Sequence, residues 1–327
     1  MKDLKRIRFA VQAGFALYFL YAGYVFYRYY LWVSGQSNTY VPHLPSVEAF
    51  LPIGALTSLK RLFLTGEFDV VHPAALVIFM AVLLSALLFR KGVCGWVCPV
   101  GFLSNLCERL GRGLGLAFCL PRWLTLSLSA VKYVLLGFFV YVICLAMNRE
   151  AIDAFAASPY NLLVDVKMLQ FFMHPSSLTL VVLTALLLFS IVVCNPWCRF
   201  FCPYGALLGL LAWIGPTQVK RDETACIKCK RCSRACPSCI QVHSMAVIRT
   251  PECQGCMECV NVCPVKGCLN AHVAARRVPA WVVAVSVLAV IWGFWGWAEL
   301  TGHWRSRVSD TAKRTIFLQT GGDIRHP

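Results

Sequence analysis

The sequence predicts a mainly α-helical membrane protein: about five transmembrane helices, one helix pair repeated, joined to a small cysteine-rich domain. Three observations carry that expectation. The chain is 58% hydrophobic and only 14% charged, well below the charge of a soluble protein. Its apolar residues fall in long runs, which read as helices rather than strands. Eight of its 18 cysteines stand in two regularly spaced runs toward the C-terminal end. The net charge of +16 could suit a nucleic-acid partner. The apolar runs instead assign the basic residues to loops beside a membrane lipid surface, so no nucleic-acid role is expected.

Met1–Arg8 carries four basic residues and leads into an apolar run, Phe9 to Val33. A signal peptide has a shorter apolar core and a small-residue cleavage site, so this run reads as an uncleaved first span. Tyr27, Tyr29, Tyr30 and Trp32 near its end read as an interfacial aromatic belt. Further runs at roughly Pro73–Phe89, Leu124–Met147, Ser177–Val193 and Pro279–Ala298 approach the ~20 residues that a crossing helix needs. Arg28 and Lys132 lie inside such runs and are expected to snorkel to the interface.

Lysine and arginine set the orientation. The loop Arg90–Arg122 holds five and the segment Asn195–Val278 eleven, whereas Ser34–His72 and Asn148–Ser176 hold two each. Basic segments stay inside, so the N-terminus and the cysteine runs are expected in the cytoplasm of a multi-pass bacterial inner-membrane protein. The tail Glu299–Pro327 also holds five basic residues, which sits awkwardly with a fifth span.

The chain repeats itself. His72-Pro73, an apolar span and Cys94-x-x-x-Cys98-Pro99-x-Gly101 are matched by His174-Pro175, a span and Cys198-x-x-x-Cys202-Pro203-x-Gly205. Such repeats pack about a pseudo-twofold axis with their site at the interface. Within each unit the two cysteines are four residues apart, on one face if the segment is helical. Together Cys94, Cys98, Cys198 and Cys202 would make a tetrathiolate pocket for a further redox metal, iron–sulfur or copper, or for thiol–disulfide chemistry. Buried small hydrophobes are the plainer reading. That plainer reading suits Cys119 and Cys144, and Cys194 is either a spare ligand or inert.

His72 and His174 stand at the expected outer ends of equivalent spans. Three readings stand for them: simple helix starts, partners of a quinone ring, or paired haem ligands.

The stretch that organises the chain is Cys226-x-x-Cys229-x-x-Cys232-x-x-x-Cys236-Pro237, followed by Cys253-x-x-Cys256-x-x-Cys259-x-x-x-Cys263-Pro264. This is the bacterial ferredoxin spacing twice, in which the fourth cysteine of each run ligates the other cluster. Cys226, Cys229, Cys232 and Cys263 should therefore hold one [4Fe–4S] cluster, and Cys253, Cys256, Cys259 and Cys236 the second. Zinc sites use separate Cys-x-x-Cys pairs rather than interlocked runs of this kind. Free thiolates at this density require a reducing compartment. Cys239 and Cys268 lie just beyond the Cys-Pro steps and are extra to the spacing. The expected domains are 1–219 within the membrane, 220–272 ferredoxin-like, and 273–327 a last span with a polar tail. Gly-rich nucleotide loops and Cys-x-x-Cys-His haem motifs are absent from the sequence.

With these residues in hand, the chain resembles the NapH-type membrane polyferredoxins, within a wider group that includes CcoG/FixG, NosR and MauN. The resemblance rests on Cys94-x-x-x-Cys98-Pro99, Cys198-x-x-x-Cys202-Pro203-Tyr204-Gly205 and the two ferredoxin runs, over roughly residues 40–270. It implies electron transfer between the quinone pool and iron–sulfur clusters, with other iron–sulfur or cytochrome subunits of a respiratory complex as partners. CcoG-like members reduce copper during oxidase assembly. A redox-sensing role is a third reading. The short N-terminal end and tail match neither the flavin domain of NosR-like proteins nor the C-terminal addition of CcoG-like ones.

Overall fold

The computed structural model describes residues 3–320; the last seven residues of the expected polar tail lie outside them. In chain order the helices are α1 (Asp3–Val33), α2 (Pro52–Thr65), α3 (Pro73–Phe89), α4 (Gly92–Trp96), α5 (Pro99–Gly113) and α6 (Arg122–Val140). Then come α7 (Arg149–Ala156), α8 (Pro159–Leu162), α9 (Val164–Met173), α10 (Ser177–Val192) and α11 (Pro203–Ile214). The cysteine-rich part contributes β1 (Thr217–Arg221), α12 (Arg231–Arg234), β2 (Val247–Ile248), α13 (Glu258–Asn261), β3 (Leu269–Val273) and β4 (Arg276–Val278). Helices α14 (Ala280–Thr301) and α15 (Asp310–Thr320) complete the chain.

All five expected apolar runs are helical. Three helical segments, Leu4–Val33, Arg122–Ala146 and Ala280–Thr301, are long and apolar enough to cross a membrane. Ser177–Val192 qualifies only together with Val164–Met173, and the two meet at an 80° bend. The break holds His174-Pro175, where proline removes a donor and drives the preceding residue out of the helical region. Pro73–Phe89 is a shorter apolar helix of 17 residues, about 25 Å long. Among the described residues, three helices, or four if the bent pair counts as one, thus have the length and apolarity of a span, against the expected number of about five.

The chain divides into two compact units, each built from three segments. Unit 1 comprises residues 1–16, 82–136 and 181–291. Its small sheet has the order β2-β1-β3-β4 and is antiparallel throughout, with β1 and β3 paired from Thr217↔Val273 to Arg221↔Leu269. The sheet thus begins before residue 220 and ends after residue 272. Val219, Ile248, Leu269 and Ala271 point into a core shared with Ile240, Val242, Met257 and Val283 of helix α14. A second cluster joins Trp96 and Val97 to Ala284 and Val287. Apolar residues at every second strand position produce this one-sided burial.

Unit 2 comprises residues 17–81, 137–180 and 292–327. Its core joins Phe26, Tyr29, Tyr30 and Trp32 of α1 to Leu163, Val166 and Phe317. The expected aromatic belt is therefore largely packed inward: Tyr29, Tyr30 and Trp32 are buried, and the Tyr29 hydroxyl donates to Asp310 at 2.9 Å. The regions read as plain loops contain helices α2 and α7 to α9, and the tail contains α15. Lys313 of α15 is fully buried against Asp165, 3.3 Å away. A buried, paired lysine says little about the side of the membrane.

Candidate iron–sulfur centre

The two cysteine runs fold as two short loop–helix elements. Lys228, Lys230 and Met257 adopt left-handed backbone conformations, with φ of 54°, 59° and 58°. These turns wrap each Cys-x-x-Cys-x-x-Cys into a tight loop before the short helices α12 and α13. Three sulfurs of one run then face one space, and the fourth cysteine of that run, carried past the helix, faces the other.

The cavities show the interleaving directly. One is lined by Cys226, Cys229, Cys232 and Cys263, with Cys268 beside them. The other is lined by Cys253, Cys256, Cys259 and Cys236. The linings group cysteines of both runs as the spacing expects, with Cys268 extra at the first cavity, and four such thiols fit the donor set of a cubane cluster. The surroundings differ. Arg221, Lys230 and His243 also line the first cavity. The second is walled by Val219, Ile240, Val242, Ile248 and Met257. Cys226 is held below the usual thiol range, first by the Lys228 N–H and then by Arg221. Burial pushes Cys236 up to about 12 and Cys256 up to about 11.

The membrane-side cysteines also converge. Cys94, Cys98, Cys198 and Cys202 are half-buried, burial pushes each thiol up, and neighbouring members of the set push Cys94, Cys98 and Cys198 further. Their local geometry corrects the expectation of one continuous helical face. Cys98 and Cys202 end their turns at ψ of 120° and 104° and cap α5 and α11. The proline that follows each disfavours helical ψ, so each pair straddles a corner. The Gly205 N–H donates to the Cys202 sulfur at 3.2 Å.

This corner lies against the second cavity. The Trp96 indole donates to the Gly255 carbonyl at 3.1 Å, between Cys253 and Cys256. Gly95 approaches so closely that a Cβ there would stand 2.6 Å from the Gln254 carbonyl oxygen. Arg8 donates to the Gly95 carbonyl at 2.9 Å and pairs with Glu258 at 3.1 Å. From the second repeat, Asn195 donates to the Pro237 carbonyl at 3.0 Å, beside Cys236.

Sequence reasoning missed the charges that complete this contact. Lys132 does not snorkel. It is fully buried and holds both carboxylate oxygens of Glu252, at 2.7 and 2.8 Å, while Lys91 lies 3.6 Å from the same group. Glu252 immediately precedes Cys253. The available signal was a lysine deep inside an apolar run, which warrants a named partner.

The two matched histidines part company. His72 is buried, with Nδ1 3.1 Å from Glu48 and Nε2 2.7 Å from the Asn161 carbonyl oxygen. Both ring nitrogens are engaged, which corrects its reading as a haem ligand and leaves none for a quinone ring. His174 is exposed at the α9–α10 bend. Cys119 is not an isolated thiol: it is bonded to Cys239.

A family model described as a 4Fe–4S binding domain matches twice, at residues 71–116 and 174–221. The two matches are the two Cys-x-x-x-Cys-Pro units, so the repeat is a repeat of one domain. A 4Fe–4S dicluster domain model matches residues 218–264. The proposed electron transport protein YccM of Escherichia coli (strain K12) is 39% identical over 308 residues, covering 90% of this chain and 86% of its own. The ferredoxin-type protein NapH of Haemophilus influenzae is 25% identical over 233 residues, covering 66% of this chain and 72% of its own. The chain belongs to the NapH-type group of 4Fe–4S ferredoxin-type proteins. The regulatory protein NosR of Pseudomonas aeruginosa shares 27% identity over 218 residues, 63% of this chain but 29% of NosR. No solved structure matches. In this NapH-type chain, iron–sulfur binding rests on both family models and on the cysteine-lined cavities.

Proposed function

We propose that this NapH-type protein is a membrane-bound electron-transfer subunit that carries two [4Fe–4S] clusters and relays electrons between the quinone pool and a partner. The observation that carries the reading is the pair of cavities, each lined by at least four cysteines drawn from both runs, with the Cys94/Cys98/Cys198/Cys202 group against the second. When bound, each cluster would supply one-electron storage at a potential tuned by its surroundings. The chain's own residues do the rest. Apolar walls keep water from the second site. Arg221 and Lys230 place positive charge at the first, which suits an acidic partner. Trp96, Arg8 and Asn195 fix the corner cysteines against the ferredoxin loops. The dicluster description of the matched model and the electron-transport and ferredoxin-type names of the relatives support the reading.

In this proposal 1–219 acts as the membrane domain, 220–272 as a cytoplasmic ferredoxin domain of the inner membrane, and 273–327 as the last span with its tail. The quinone site is placed near the corner cysteines rather than at His72. A copper-handling role remains the second reading for the four corner thiols, which form a soft donor set; the 4Fe–4S description of the model matched there favours iron–sulfur.

The test uses full-length protein in vesicles, fed with a reduced quinone analogue under anaerobic conditions. Wild type should show cluster reduction by EPR, and Cys98→Ser/Cys202→Ser should abolish that reduction while both ferredoxin signals remain reducible by dithionite. Unchanged quinol-linked reduction in the double variant, or stoichiometric copper on the wild type, would defeat the proposal.

A further inference from the structure

Three cysteines outside all three ligand groups meet in unit 1. Cys119 follows α5, Cys194 follows α10, and Cys239 follows the first ferredoxin run. Their sulfurs lie within 4.8 Å of one another, and Cys119 is bonded to Cys239. The meeting is built from separate contacts. The Phe118 N–H donates to the Val192 carbonyl at 3.0 Å, and Phe118 pairs with Val193 as a parallel bridge, setting Cys119 beside Cys194. Asn195 ties the same segment to Pro237 at 3.0 Å, and the Cys239 N–H closes a turn onto the Cys236 carbonyl at 3.1 Å.

Around Cys194 the polar groups have a chemical order. Glu108, buried, accepts from Asn195 at 3.0 Å and pairs with Arg112 at 2.6 Å. Its charge faces the Cys194 thiol, which burial first and Glu108 next push up. Arg112 itself reaches the Cys194 sulfur at 3.9 Å. Burial holds this thiol protonated at rest, while Glu108 offers a base for its proton and Arg112 a guanidinium that favours the thiolate. Cys239 holds a left-handed backbone, φ 53°, a conformation that non-glycine residues adopt mainly where surroundings impose it. Cys119 is exposed and Cys194 buried, so one end of the disulfide faces outward and the other group faces it from within. A static cross-link needs neither the third thiol nor its base.

We infer that Cys119, Cys194 and Cys239 form a thiol–disulfide exchange site whose co-substrate is a dithiol. Glu108 takes the Cys194 proton, and the Cys194 sulfur attacks Cys239. The Cys119–Cys239 bond breaks, a Cys194–Cys239 bond forms, and the departing Cys119 sulfur is protonated from water, to which Glu108 returns the proton it took. A dithiol then attacks the new disulfide through one sulfur and closes on itself with the other, leaving as its own disulfide. Two electrons and two protons pass from the dithiol, and all three cysteines end as thiols. Because Cys236 lies three residues before Cys239, the exchange changes the tether on a loop of the second cluster site.

The experiment is differential alkylation with peptide mass spectrometry on the full chain, purified anaerobically in detergent and titrated with dithiothreitol. Cys119 and Cys239 should change from blocked to alkylatable together. Cys194→Ser should slow that reduction by about tenfold or more, with iron content unchanged. Cys119→Ser should trap a Cys194–Cys239 disulfide, which shows directly that the third thiol reaches its target. An unchanged reduction rate in Cys194→Ser, no disulfide in Cys119→Ser, or stoichiometric zinc on three free thiols would overturn the inference.

Discussion

Lys132, from the middle of an apolar helix, grips both carboxylate oxygens of Glu252, the residue next to Cys253, at 2.7 and 2.8 Å. Lys132 is fully buried, and the Glu252 side chain is about one-fifth exposed. The contact joins α6 to the second ligand loop by charge rather than by backbone.

Removing one side of such a pair leaves the other uncompensated. Lys132→Met should cost about 3 kcal/mol, somewhat softened because Lys91 remains near Glu252. Lys132→Met combined with Glu252→Gln should recover much of the loss. Thermal unfolding in detergent, followed together with iron retention, measures both.

The interleaving of ligands makes a sharper claim than the ligand list. Cys236→Ser should alter the same EPR signal as Cys256→Ser, although the two residues lie in different runs. Cys263→Ser should instead group with Cys229→Ser. Signals that group by run would contradict the cavity geometry.

Gly95 sits where a side chain would meet the Gln254 carbonyl oxygen at 2.6 Å. Gly95→Ala should therefore displace the second ligand loop and cost about 1–3 kcal/mol, as overpacking does. Its signature is selective loss of the second cluster's signal, read by EPR against an intact first.

His72 gives unit 2 a pH dependence. Burial lowers its pKa, but the Glu48 carboxylate outweighs burial and holds the imidazolium to about 9. The folded value exceeds the unfolded ~6.5, so protonation stabilises the fold. That contribution, about 3 kcal/mol, is complete below pH ~6.5 and is lost as pH rises through 9. Stability measured from pH 6 to 10 should fall across this window, and His72→Gln should flatten the fall.

The sequence was most legible where chemistry imposes local spacing. Each cysteine run carries its own register, and the swap of Cys236 and Cys263 follows from that spacing before any fold is known. The repeat at Cys94 and Cys198 was legible for the same reason, and one family model matches both copies. Pairings across long separations leave no such mark. Lys132 and Glu252 stand 120 residues apart, and so do Cys119 and Cys239. Helices α2, α7 and α15 are short, and their partners are distant in sequence: Arg61 of α2 pairs with Asp153 of α7, and Lys313 of α15 with Asp165. His72 and His174 look equivalent in sequence because both precede proline. Glu48 and the Asn161 carbonyl capture only the first.

The most direct test of the central claim is iron, acid-labile sulfide and EPR on the anaerobically purified full-length protein, before and after dithionite. Two clusters in the ferredoxin runs predict about eight iron and eight sulfide per chain from those runs, with two reducible signals that interact magnetically. About four iron per chain with a single isolated signal, or zinc in place of iron in an active preparation, would contradict it.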